Sequence, residues 1–299
     1  MIAAISCRKT GLCIHSSLYN QKVESRPICP NCRAFISRAD RICPYCDFEL
    51  APKATGPILN SRALSDLMPG EGQLTQYILG ANFLFYLATI LYDQQNTTNP
   101  SLFDPNGITL AIFGSKYAPL IYHGEWWRLL TAGFLHASLM HILFNSWGLY
   151  QLGAEVDDAL GSARYLCAYV FSTMTGFLAS TIFSPQAPSV GASAGIFGLL
   201  GALIAYATVQ GGLMGRYLRS AYLNSAIIAI LLTAFSGHTD NWAHLGGLAG
   251  GFVFVYTIGK LNLTRPSLNR AWNVAGVGAI AFILLCFGLQ FYAAMRLLQ

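Results

Sequence analysis

Apolar runs of roughly 17–25 residues dominate this chain, near 75–92, 135–156, 164–184, 193–210, 221–236, 242–259 and 272–295. Runs of that length are what a helix needs to cross a bilayer, and 221–236 is the shortest of them. Only 10% of the 299 residues are charged, against about 25% in an ordinary soluble domain. The expected fold class is therefore all-α: a polytopic helical membrane bundle preceded by something small and polar.

The charges orient the bundle. The formal net charge is +5. Half of the basic residues (Arg8, Lys9, Lys22, Arg26, Arg33, Arg38, Arg41, Lys53 and Arg62) precede the first run. With the N-terminus inside, these fall in the cytoplasm together with Arg164, Arg216, Arg219, Lys260, Arg265 and Arg270. Only Lys116, Arg128 and Arg296 remain outside. That bias follows the positive-inside rule, and the opposite orientation would reverse it. The basic balance is thus explained by topology, not by nucleic acid. Residues 1–28 interrupt their short apolar patches with Arg8, Lys9, Lys22 and Arg26, unlike a cleaved signal peptide.

The first domain, placed at 1–50, is marked by cysteine. Cys29-Pro-Asn-Cys32 and Cys43-Pro-Tyr-Cys46 are two knuckles separated by ten residues. Each tight turn can present two thiolates to one tetrahedral ion, so structural zinc held by Cys29, Cys32, Cys43 and Cys46 is expected over about 27–49. A cytosolic location disfavours paired disulfides. So small a module buries too little apolar surface to fold without help. It resembles the short zinc ribbons fused to many bacterial proteins. A cytosolic protein partner is one role for it; tethering substrate or capping the N-terminus are others. Residues 51–74, with Pro52, Gly56, Pro57, Pro69, Gly70 and Gly72, read as a linker to a membrane domain over 75–299.

Polar residues then appear where membrane helices should be apolar. His141 and Asn145 lie at i and i+4 in the second run, with His136 one turn outward. Ser193 opens the fourth run and His244 lies just inside the sixth. Intramembrane ionisable groups are costly and mark function. In the inside-first topology all of these groups reach one depth, just below the outer surface. Ser193 and His244 would serve as nucleophile and general base, and His141 and Asn145 would serve an oxyanion together with the Ser193 N–H. Gly195, Gly198 and Gly201, with the overlapping pairs Gly246–Gly250 and Gly247–Gly251, would let two helices approach closely enough to share a proton. The bland alternative is that these glycines merely pack a bundle.

Other chemistries fit less well. There is no His-Glu-x-x-His helix. Asp93 lacks a partner aspartate, because Asp157 and Asp158 fall on the opposite side. A metal site from His136, His141 and His244 has no carboxylate in its surroundings. The loop 93–134 is expected to be structured at the outer interface. There Trp126 and Trp127 suit the headgroup region, and Glu125 and Arg128 form a structural pair. Asp240 and Asn241 are expected to cap the sixth helix.

At these residues the chain resembles the rhomboid intramembrane serine proteases. The similarity runs over roughly 75–260. It rests on Gly124-Glu-Trp-Trp-Arg128, His136-Ala-Ser-Leu-Met-His141-Ile-Leu-Phe-Asn145, Gly191-Ala-Ser193 and Ala243-His244-Leu-Gly-Gly247. The resemblance implies a Ser193–His244 dyad without a third acidic member, an oxyanion site from His141 and Asn145, and no catalytic cofactor. It implies cleavage of single-pass transmembrane protein substrates near their outer end, within the lipid bilayer. It also implies a six-helix core with the last run added, and Phe197 packed on His244. A bacterial inner membrane is the expected location. In the family pattern glycine follows the serine; here Ala194 does, with Gly195 next, and the extra methyl threatens to crowd the site. A non-catalytic rhomboid-like protein that binds membrane segments, or a small-solute transporter, are the competing readings.

Overall fold

The computed structural model describes residues 29, 32, 42–46, 68–70, 72–234, 239–262 and 266–297. The chain divides into two units, Met1–Ile58 and Leu59–Gln299. The turn expected around 61–68 lies outside the described residues, apart from Met68.

In the larger unit the long helices are α1 (Gln73–Asn96), α5 (Leu139–Leu160), α6 (Ser162–Phe183), α7 (Ser193–Gln210), α8 (Gly212–Ala234), α9 (Asn241–Lys260) and α10 (Asn269–Leu297). Between α1 and α5 lie the short helices α2 (Gly107–Phe113), α3 (Ala118–Tyr122) and α4 (Arg128–Thr131), then a 3₁₀ turn at Ala132–Phe134. The described residues contain no strand; in the larger unit Lys116 and Ser189 form an isolated antiparallel bridge. This is an integral multi-pass membrane protein: six helices alone are long and apolar enough to span. The seventh, α5, qualifies only jointly with Arg128–Phe134, which is bent 95° to it. Its own polarity, from His141 and Asn145 to Asp157 and Asp158, accounts for that shortfall. The fifth expected span, 221–236, is part of a longer helix. Residues expected to form a basic inner loop, including Arg216 and Arg219, are the first turns of α8.

The helix α7 is apolar all round, as a helix enclosed by others must be. It has 67% of its most apolar window buried, whereas α8 has 6%, so α7 is central and α8 peripheral. Glycines set the spacing of α6, α7 and α9. A Cβ added at Gly247 would overlap the Ala194 carbonyl oxygen, and one at Gly251 would overlap that of Gly198. On the neighbouring side, a Cβ at Gly250 would strike the Thr175 hydroxyl of α6. The two overlapping glycine pairs thus serve different neighbours: one faces α7, the other α6. The α10 helix packs on the core through Phe287, which stacks on Phe85 at 4.2 Å.

The loop after α1 is folded, as expected. Asp93 is buried and accepts from the Asn106 N–H at 2.7 Å and from the hydroxyls of Thr97 and Thr109, which ties α1 to α2. Arg128 is fully buried. Its Nε meets Glu125 at 2.5 Å, and Nη1 donates to the carbonyls of Ala111 and Ser115. Trp126 is partly exposed, but Trp127 turns inward and donates to Gln290 of α10 at 2.9 Å. Both rings join the loop to α10: Trp126 stacks on Phe282 at 5.9 Å while keeping one side exposed, and Trp127 makes the hydrogen bond.

Candidate active site

Three helix N-termini meet at one end of the bundle. Ser138 caps α5 by accepting the His141 N–H at 3.1 Å. Ser193 is the first residue of α7. Asp240 caps α9 by accepting the Ala243 N–H at 3.1 Å, which places His244 in the first turn. Asn241 takes no capping role; its side chain meets Thr233 instead.

Ser193 Oγ lies 2.9 Å from His244 Nε2. The imidazole stacks on Phe197 at 4.2 Å and 16°, as the resemblance implied. The serine is at a helix start, where the dipole is positive and the first-turn N–H groups have no helical acceptor.

His141 and Asn145 reach the same place. Gly191, at φ 129°, has a conformation and surroundings that exclude a side chain. A Cβ there would sit 2.6 Å from His141 Nε2 and 3.3 Å from Asn145 Nδ2. These two polar groups therefore press against the backbone two residues before Ser193. Asn145 Nδ2 is buried and has no hydrogen-bond partner. A buried donor left unpaired costs free energy, and one facing a site is what a transient oxyanion would use. His136 is buried beside His141, with ring centroids 5.2 Å apart.

Above the dyad is a cavity of about 860 Å³, lined by Ser193, His244, His141, Ser138, Ser189 and Asp240 among others. The lining is mixed: these polar groups share it with apolar ones such as Leu110, Phe177 and Val190, and the cavity is large enough to hold water beside the serine. Ala194 does not line it. The Ala194 methyl is buried with Ala132, Phe177 and Ala243, in room that Gly176 leaves; a Cβ at Gly176 would lie 2.8 Å from it. The methyl that threatened to crowd the nucleophile points into the helix packing.

Sequence reasoning missed Lys116. It is fully buried and its Nζ donates to the carbonyls of Ser184 and Ala187, at 2.6 and 2.9 Å. Its backbone exchanges two hydrogen bonds with Ser189, and Gly191 N–H donates to Ala132 at 2.9 Å. Together they hold the segment leading into Ser193. Burial pushes the Lys116 amine below its ordinary value, opposed by the charge of Asp240. Nothing in the local sequence distinguishes this lysine from a solvated one. Ser180 donates to Asp240, so that carboxylate is committed to the cap and to α6.

In the smaller unit the sulfurs of Cys29, Cys32, Cys43 and Cys46 all lie within 4.8 Å of one another. Cys29–Cys46 is 3.8 Å and Cys32–Cys43 is 3.6 Å. A disulfide requires about 2.05 Å. A tetrahedral ion with bonds of about 2.3 Å sets sulfurs about 3.8 Å apart. The cluster is compatible with a structural zinc. Among the described residues it is the one group of His, Cys, Asp or Glu side chains arranged to hold a metal.

The family Rhomboid domain matches residues 123–261, the stretch that carries all four site residues. A match of 33% identity over 206 residues links the chain to Rhomboid-like protease 1 of Toxoplasma gondii, covering 67% of this chain and 68% of that protein. The chain belongs to the rhomboid family. It is also 33% identical over 137 residues to the putative rhomboid protease YdcA of Bacillus subtilis, covering 46% of this chain and 69% of YdcA. Rhomboid protease GluP of the same bacterium is 38% identical over 190 residues, which are 62% of this chain and 36% of GluP. The chain spans less than two thirds of the length of GluP and of several other rhomboid relatives.

Proposed function

We propose that this rhomboid protein is a serine endopeptidase that cleaves single-pass membrane proteins near the outer face of the bilayer. The observation that carries the reading is the 2.9 Å contact between Ser193 Oγ and His244 Nε2 beneath a cavity of about 860 Å³. Ser193 Oγ attacks the scissile carbonyl carbon and its proton passes to His244 Nε2. The resulting oxyanion takes hydrogen bonds from Asn145, His141 and the Ser193 N–H. His244 returns the proton to the departing amine, leaving an acyl-enzyme ester. Water from the cavity then gives a proton to His244 and adds to the ester, and the serine is regenerated. No cofactor enters these steps.

The excess of Lys and Arg before the first span and at the span ends on the same side supports a cytoplasmic N-terminus, and the bacterial relatives support an inner-membrane location. The four cysteines bind one zinc, which supplies the folding free energy of a cytosolic ribbon at about 27–49. Residues 51–74 link it to the bundle, and the ribbon offers a surface to a cytosolic protein.

Reconstituted protein and a single-pass substrate in one vesicle test the reading. Cleavage is expected from the wild type and is lost in Ser193→Ala and His244→Ala. A wild type that binds the substrate and never cuts it, or cleavage that survives Ser193→Ala, contradicts the proposal.

A further inference from the structure

The dyad needs one tautomer. For His244 Nε2 to accept the Ser193 proton, the ring hydrogen must sit on Nδ1, and a buried Nδ1–H needs an acceptor. In many serine hydrolases a carboxylate fills that place. Among the described residues no carboxylate hydrogen-bonds the ring. Asp240 lies one turn before His244 at the cap of α9, and its carboxylate is engaged by the Ser180 hydroxyl and the Ala243 N–H.

The atom that faces Nδ1 is the Thr233 hydroxyl, at 3.5 Å, from the last turn of α8. Among the described residues three acceptors surround that hydroxyl: the Ala229 and Ile230 carbonyls, each at 3.0 Å, and Asn241 Oδ1 at 2.9 Å. A threonine in a helix ordinarily gives its proton to such a carbonyl. The proton of Thr233 is therefore drawn away from the histidine, whichever of the three receives it. What remains toward Nδ1 is a lone pair, which can accept and cannot donate. A hydroxyl constrained this way favours hydrogen on Nδ1 and leaves the Nε2 lone pair for Ser193. At 3.5 Å the contact is long, and such bonds tighten as charge develops on the ring.

We propose that Thr233 is a positioning residue that sets the His244 tautomer and orientation, in place of a third acidic member. The inference rests on the protease reading above. Thr233 never touches substrate in this account; it acts through the imidazole. It sits on the least buried of the long helices, so removing its hydroxyl should spare the fold.

The test is steady-state cleavage in vesicles by the wild type, Thr233→Val and Thr233→Ser, with thermal unfolding measured alongside. Valine keeps the shape and loses the acceptor. Its kcat is expected to fall about tenfold, the worth of one modest hydrogen bond, with KM and melting temperature unchanged. Serine restores the acceptor and should restore kcat. Unchanged kcat in Thr233→Val, or an equal loss in Thr233→Ser, overturns the proposal while leaving the protease reading intact. No cleavage by the wild type overturns both. A second readout needs no variant at Thr233: nitrogen-15 NMR of histidine-labelled wild type, with His244 assigned by the signal lost in His244→Gln. Hydrogen on Nδ1 is expected, and hydrogen on Nε2 in the resting protein contradicts the inference.

Discussion

At the scale of single residues, Asn145 carries the sharpest test of the proposed oxyanion site. Its Nδ2 is buried without a partner, which is a cost to the resting protein that a transient oxyanion would repay. Asn145→Ala should therefore lower kcat about 10- to 100-fold, less than the loss of a sole oxyanion donor because His141 and the Ser193 N–H remain. The same variant should melt no lower than the wild type, since it removes an unpaired polar group. A variant that unfolds easily and keeps its kcat would mark Asn145 as structural. Ser193, His244, His141 and Asn145 could be singled out in the sequence as candidates, because polar groups interrupt three apolar runs toward their N-terminal ends. Lys116 and Thr233 were not. A lysine in an outer loop and a threonine at a helix end are commonplace, and only folding reveals that one is sealed under the nucleophile loop and the other faces the base.

At the scale of elements, the approach of α7 and α9 brings the serine and histidine within reach. Glycine patterns announced this approach but did not say which neighbour each glycine faces. Gly251 lies against the Gly198 carbonyl, so Gly251→Ala must push two backbones apart. A loss of about 3 kcal/mol, the upper part of the range for overpacking, is expected from unfolding in detergent, together with loss of cleavage. Gly278→Ala on α10 meets nothing within 4 Å and is the control, expected to leave stability and turnover unchanged. Equal behaviour of the two variants would show that close packing is not what assembles the dyad. The extent of α8 was misjudged because Tyr217, Arg216 and Arg219 dilute its first turns below the apolar level by which spans are recognised. A helix with one lightly packed face tolerates that mixture.

For the whole molecule, composition alone separated a cysteine-bearing first segment from an apolar bundle. The chain clusters into two units, Met1–Ile58 and Leu59–Gln299, and the sulfur spacings of the first are compatible with one tetrahedral ion. Purified full-length protein should carry one zinc per chain, by elemental analysis, and lose it in Cys29→Ser with Cys43→Ser. Because the four cysteines lie in the first unit and no metal enters the proposed reaction, chelation should leave Ser193 reactive. A zinc requirement for that reactivity would mean that the division of labour is wrong. The central claim remains the shared proton between two helices. Its most direct test is a fluorophosphonate probe followed by mass spectrometry of the labelled peptide. The account predicts a single adduct on Ser193, absent in Ser193→Ala and strongly slowed in His244→Ala. No adduct on folded wild type, or undiminished labelling without His244, would contradict it.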